Sequence, residues 1–197
     1  MSKAERTRQY IIEKSAPLFN MKGYAGTSLS DIIDTTNLTK GSIYGNFHNK
    51  DEVAIEVYEY HVSILNRRIG EFIKDRKSMG DKLRGLTEYY RGNWKSIFAN
   101  GGCPILNAAV ESDDNALFLK KSVQSSLEKW AKRLATLIES GQKNGEFKKN
   151  ILPDTYAYTI ITILEGGMMM GKIMNNQKLL FAALDRIDTI IKTEIEK

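Results

Sequence analysis

The 197-residue chain reads as an all-α protein of about nine helices. Three observations carry that expectation. Proline, which removes a helical amide donor, occurs only at Pro17, Pro104 and Pro153. Apolar residues recur at three- and four-residue intervals through long segments that open on helix-capping residues and close near Gly or Asn. No segment shows the apolar–polar alternation of a strand bounded by turn residues.

The first helix is expected over 3–21, with Ile12, Ala16 and Phe19 on one face and Lys22-Gly23 closing it; Pro17 predicts a kink or a tightened last turn. Ser28 to Asp31 has the form of a capping box and opens a short helix to Thr35. Thr36-Asn37-Leu38 is a turn, since Asn tolerates the left-handed conformation. Thr39 caps a second short helix over 40–47. Asn49 at the N-cap and Glu52 three residues later open a long helix over 51–74, with Val53, Val57, Tyr60 and Ile64 on its apolar stripe. A polar break at 75–80 precedes a helix over 81–98. Ala99-Asn100-Gly101-Gly102-Cys103-Pro104 is the strongest loop signal in the chain. Helices over 105–111, 116–143, 155–174 and 177–196 complete the chain, with Leu152-Pro153-Asp154 as a turn and Asn175-Asn176 dividing the last two. This division gives a small N-terminal unit, 1–50, and a larger one, 51–197.

Composition narrows the chemistry. With 42% hydrophobic residues the chain has enough apolar material for a core, which excludes a disordered protein. One cysteine, Cys103, excludes an intramolecular disulfide and a multi-cysteine zinc site; two histidines, His48 and His61, exclude a histidine-rich metal centre, so neither metal nor cofactor is expected. No apolar run reaches the roughly 18–20 residues of a membrane span. The first residues turn charged and periodic at once, without a signal-peptide pattern, and the expected setting is a reducing cytoplasm. The net charge of +5 permits an anionic partner without requiring one. Its placement is uneven: residues 1–50 hold seven Lys/Arg against four Asp/Glu, so +3 of it falls in the first quarter of the chain.

Two short helices joined by a three- or four-residue turn, here over 28–47, form a helix-turn-helix, whose second helix fits the DNA major groove. Its exposed face would present Thr39, Lys40, Ser42, Tyr44 and Asn46, with Ile43 and Phe47 inward and Gly41 allowing close backbone approach. The same pattern also serves two amphipathic helices inside a bundle whose polar residues are merely solvated.

A family resemblance separates these readings. Thr39-Lys40-Gly41-Ser42-Ile43-Tyr44-Gly45-Asn46-Phe47-His48-Asn49-Lys50-Asp51-Glu52-Val53 resembles the signature of the TetR family of transcriptional regulators. The upstream stretch from Phe19 through Gly23-Tyr24-Ala25-Gly26-Thr27-Ser28 to Asp31-Ile32-Ile33 is similar to the same family's pattern. The likeness covers residues 5–55. It departs from the family at Asn37, usually Gly, at Gly45, usually bulkier, and at Ile33, often Ala.

The resemblance implies a homodimeric, ligand-responsive regulator, a repressor by expectation, that binds double-stranded operator DNA and is released by a small-molecule inducer. It implies that Tyr44 and Lys50 meet phosphates. Thr27 and Ser28 stand at a helix N-terminus that favours an anion. Thr39 and Lys40, and then Ser42, are the candidates for base edges, because the start of a recognition helix reaches deepest. Gly41, Asn46 and His48 complete the expected DNA-binding set.

For the larger unit, the resemblance implies ligand binding among helices four to eight and dimerisation through the last two. Ile160, Ile163, Gly166, Gly167 and Met170, with Leu180, Leu184, Ile187 and Ile191, are the expected dimer face; by pattern alone they serve one internal core equally well. Tyr89, Tyr90, Trp94, Phe98, Ile105, Leu106, Asn107, Trp130, Glu165, Met168 and Met169 are the candidate pocket residues, Asn107 and Glu165 supplying the few polar groups that orient a ligand. Cys103 has no basic sequence neighbour to activate it as a sensor, and the resemblance implies a structural turn for its Gly-Cys-Pro setting.

Two other classes compete with this reading. No Ser-His-Asp set, phosphate loop or carboxylate cluster stands at motif spacing, so an enzyme is not expected; Glu111, Asp113 and Asp114 read as a solvated acidic turn. A helical protein whose N-terminal unit binds another protein is the second alternative, and enrichment of a defined duplex from random DNA distinguishes it.

Overall fold

The computed structural model describes residues 2–197. Among these, the chain forms nine α-helices and no β-strand, with one isolated antiparallel bridge between Phe147 and Glu196. The helices are α1 (Lys3–Lys22), α2 (Leu29–Thr36), α3 (Lys40–Tyr44), α4 (Lys50–Ile73), α5 (Met79–Ala99), α6 (Pro104–Asp114), α7 (Lys120–Lys143), α8 (Pro153–Ile173) and α9 (Gln177–Ile190).

Local chemistry explains most boundaries. Ser28 and Asp31 form a complete capping box at α2, and Thr39 caps α3 by accepting from the Ser42 N–H at 3.1 Å. Asn37 ends α2 in the left-handed conformation, φ 55° and ψ 31°. α1 forms one helix that includes Pro17, with a buried face of Ile11, Ile12, Ala16 and Phe19. Other boundaries differ from expectation. α3 stops at Tyr44, where the Gly45 N–H returns to the Gly41 carbonyl at 2.9 Å. α5 starts at Met79, capped by Ser78, and the Glu146 carboxylate accepts from the Met79 and Gly80 N–H groups at 2.7 and 3.3 Å. A 3-10 turn at Leu117–Leu119 precedes α7, and α9 passes into a π turn at Ile191–Ile195.

The chain divides into two compact units. One comprises Met1–Leu65 with Cys103–Ser126, the other Asn66–Gly102 with Leu127–Lys197. The first therefore includes α6 as well as the helix-turn-helix. Its core contains Ile11, Phe19, Tyr24, Ile32, Ile43, Phe47, Val57, Tyr58, Ala108 and Leu119. The buried face of α4 is Val53, Ala54, Val57, Tyr58 and Val62; Tyr60 and Ile64, expected on that stripe, are half-buried.

In the second unit, α8 and α9 pack against each other, and α5 against α9. Gly167 makes the first contact close, because a Cβ there would collide with the Ala183 Cβ. This packing corrects the expected dimer face. Ile160, Leu180, Leu184, Ile187 and Ile191 are at most 1% exposed in the single chain, and Gly167 is buried. Such side chains have no surface left for a second chain; they are the unit's own core. Ile163 and Gly166 are half-buried, and Met170 is exposed. The large apolar residues that α8 leaves exposed are Tyr158, Met169, Met170 and Ile173, followed by Met174.

Candidate DNA-binding site

The site begins with the three turns that hold α2 and α3. Tyr24 is fully buried, its ring 5.5 Å from Phe19 and 6.2 Å edge-on from Tyr58, and it anchors the α1–α2 turn. The Tyr10 hydroxyl donates to the Thr36 carbonyl at 3.1 Å, tying α1 to the end of α2. Lys22 pairs with Asp31 at 2.6 Å. That ammonium, together with the Ser28 N–H and hydroxyl, holds the Asp31 carboxyl well below the usual carboxylate range.

The exit of α3 is held by Arg8. Its guanidinium bonds the Asn46 carbonyl, Glu52 and Glu56, and lies 4.1 Å from the centre of the Phe47 ring. The hydrogen bond to Glu56 leads in pushing the Arg8 pKa up, against the opposing effect of burial. The hydrogen bond from Arg8 to Glu52 pulls the Glu52 carboxyl down, with help from the His48 N–H, which donates to Glu52 at 2.6 Å. α1, α3 and α4 are thus joined through one side chain. This hub was not readable by motif, because its partners lie far apart in sequence.

On this frame Thr39, Lys40, Gly41, Tyr44 and His48 are exposed, while Ser42 and Asn46 are half-buried. Lys40 Nζ stands 5.9 Å from the Tyr44 ring centre, so the two side chains share one side of α3. The Asn46 amide donates to the Ser42 carbonyl at 2.8 Å. Ser28 is exposed at the α2 N-terminus. Thr27 requires a correction: its side chain has no exposed surface, and its hydroxyl donates 2.6 Å to the Gly23 carbonyl. The inward hydroxyl fixes the turn. Lys50 is also engaged, its Nζ lying 3.3, 3.5 and 3.0 Å from the carbonyls of Tyr24, Ala25 and Thr27.

The candidate ligand residues divide between the two units. In the first, Ile105 is buried, and the Asn107 amide donates to the Asn20 side-chain and backbone oxygens at 3.0 and 3.2 Å; Leu106 is half-buried. Cys103 is buried, forms no disulfide and immediately precedes α6, after Gly101 and Gly102 with φ of 95° and 90°. In the second, Tyr89 meets Tyr90 edge-on at 5.5 Å, and Trp94 meets Phe98 at 5.6 Å and Phe181 at 6.4 Å. Trp130 and Met168 are buried there, Glu165 is half-buried and Met169 is exposed. Among the described residues no cluster of three His, Cys, Asp or Glu is placed to hold a metal, and no helix is long and apolar enough to cross a membrane.

A capped helix-turn-helix with a basic and hydroxyl-bearing second helix, followed by a large helical body, defines the class: a helix-turn-helix transcriptional regulator. Comparison with known proteins gives the family. The sequence profile of bacterial regulatory proteins of the tetR family matches residues 11–57, and that of the tetracyclin repressor-like C-terminal domain matches residues 80–187. The chain belongs to the TetR family. A TetR-family regulator from Cytophaga hutchinsonii has the same fold, with a TM-score of 0.94 and 36% identity over 100% of this chain and 98% of that one. A TetR regulator from Chloroflexus aurantiacus gives 0.90 and 32% over 100% and 99%. The transcriptional repressor DhaR of Mycobacterium sp. (strain GP1) is 27% identical over 93% of this chain and 89% of its own length.

Proposed function

We propose that this TetR-family regulator is a repressor that binds operator DNA as a homodimer and releases it when a small molecule binds the helical body. The observation that carries the reading is the exposed row of Thr39, Lys40, Gly41 and Tyr44 on a short helix whose two ends are fixed by the Thr39 cap and the Arg8 hub. The row's backbone approaches DNA at Gly41, Tyr44 offers its hydroxyl to a phosphate, and Thr39 and Lys40 meet base edges. Ser28 and the N-terminus of α2 add phosphate contacts. Lys50 contributes by holding the turn before α2. The relationship to DhaR, itself named a repressor, supports the sign of regulation.

In the second unit the half-buried, edge-on pair Trp94 and Phe98 offers apolar surface to an inducer, with Glu165 as a polar group; Tyr89 and Tyr90 are themselves buried. The dimer forms through the apolar residues that α8 leaves exposed.

Selection from a pool of random duplexes tests this function. The full-length protein enriches a two-fold-symmetric sequence whose half-sites lie about 34–36 Å apart or a multiple of that. Failure to enrich any duplex at low salt overturns it and favours a protein-binding role for the N-terminal unit.

A further inference from the structure

The α1–α2 turn is bracketed by two opposite charges. On its carbonyl side stands Lys50 of α4, within 3.0–3.5 Å of three backbone oxygens. On its N–H side stands Glu111 of α6. One Glu111 oxygen accepts from the Tyr24 N–H at 3.0 Å and the other from the Ala25 N–H at 2.8 Å. The bracket depends on Gly23. Its φ of 89° is a left-handed value, and a Cβ there would stand 2.8 Å from the Glu111 oxygen. A second contact lies one turn earlier on α6, where the Asn107 amide bonds Asn20 near the end of α1. Residues 107 and 111 are four apart and share one face of α6.

We propose that Glu111 is a positioning residue for DNA binding: through its carboxylate, with Asn107 beside it, α6 holds the α1–α2 turn and thereby sets the pose of Ser28 at the α2 N-terminus. α6 belongs to the stretch matched as the C-terminal domain, yet it packs in the compact unit that carries the helix-turn-helix. A shift of α6 by one hydrogen-bond length releases both turn amides at once, because a bidentate carboxylate is short and directional. Of the two charged groups that bracket the turn, Lys50 then remains. The acidic group at 111, read from sequence as a solvated turn, thus ties α6 to the DNA-facing surface within the first unit. This inference rests on the DNA-binding function proposed above.

The test uses the full-length protein and its Glu111→Gln, Glu111→Ala and Asn107→Ala variants, with two readouts. Hydrogen exchange reports the Tyr24 and Ala25 amides directly. Exchange should quicken at least about tenfold in Glu111→Ala and less in Glu111→Gln, which keeps one acceptor oxygen, while the α8 and α9 amides stay unchanged. Affinity for the duplex that the wild-type protein enriches, measured against salt, reports the contacts made. Glu111→Ala should bind it at least about tenfold more weakly, with a shallower salt dependence, because phosphate contacts at the α2 N-terminus are lost. A merely structural Glu111 would lower the melting temperature and leave that slope unchanged. If Glu111→Ala does not fold, Glu111→Gln and Asn107→Ala carry the same readouts. Unchanged Tyr24 and Ala25 exchange overturns the positioning role, whether or not any duplex is found. Equal affinity and slope in wild type and folded variants overturns it also. A wild-type protein that enriches no duplex contradicts the DNA-binding function instead.

Discussion

Asp31 shows how much one side chain holds at the edge of the DNA-binding surface. It closes the α2 capping box and pairs with Lys22. Its carboxyl titrates well below the usual range in the folded chain. A depressed folded pKa contributes stability that is complete above the unfolded value of about 3.9 and is lost as pH falls through the folded value. Asp31→Asn should therefore melt below wild type at pH 7, and the gap should narrow as both are acidified below about pH 4. Thermal denaturation followed by circular dichroism checks this; a gap constant down to pH 3 would mean that Asp31 ionisation is not what the variant removes. The Ser28–Asp31 box, the Thr39 cap and the Asn37 turn were all legible in sequence, because each is a bond or a dihedral settled within three residues. Thr27, Lys50 and Glu111 were not. The inward hydroxyl of Thr27 depends on how the turn closes, Lys50 finds carbonyls 23–26 residues upstream, and Glu111 finds amides 86–87 residues upstream.

Helical elements were legible where an apolar period met a cap, and less so where tertiary partners set the ends. α5 begins at Met79 and not at Asp81 because the Ser78 hydroxyl and the distant Glu146 carboxylate take the first N–H groups. The stripe on α9 was visible, but period alone does not say whether it meets its own chain or another. In the folded chain it meets α8, through the glycine gap at Gly167, and α5, where Arg91 pairs with Asp185 and Asp188 at 2.9 and 3.2 Å. Gly167→Ala should consequently destabilise the protein by about 1–3 kcal/mol, since the added methyl has no space against Ala183. Gly92→Ala on α5, where a Cβ meets nothing within 4 Å, should stabilise it by up to about 1 kcal/mol through helix propensity. Urea unfolding of the two variants gives both signs; destabilisation by both would mean that the Gly167 contact is not special.

For the whole molecule, the chain's two compact units do not coincide with a cut at residue 50, since α6 returns to the helix-turn-helix unit from the middle of the chain. The local motif at 19–53 made the DNA-binding region readable, whereas the return of α6 is a long-range event that no local pattern encodes. The proposed dimer belongs to this scale too. Ile173 is 76% exposed on α8 beside Met169 and Met170. Ile173→Glu should shift the protein towards monomer in sedimentation while leaving the helical content of each chain intact, because its side chain packs little within the chain. An unchanged dimer would place the interface elsewhere. The central claim, that the exposed row on α3 reads DNA, is tested most directly by the affinity of wild type and the Lys40→Ala/Tyr44→Phe variant for the duplex that the wild-type protein enriches. Both side chains are exposed, so the variant should melt as wild type does and bind at least about tenfold more weakly. Equal affinity with an intact fold would contradict the assignment of α3 as the recognition helix.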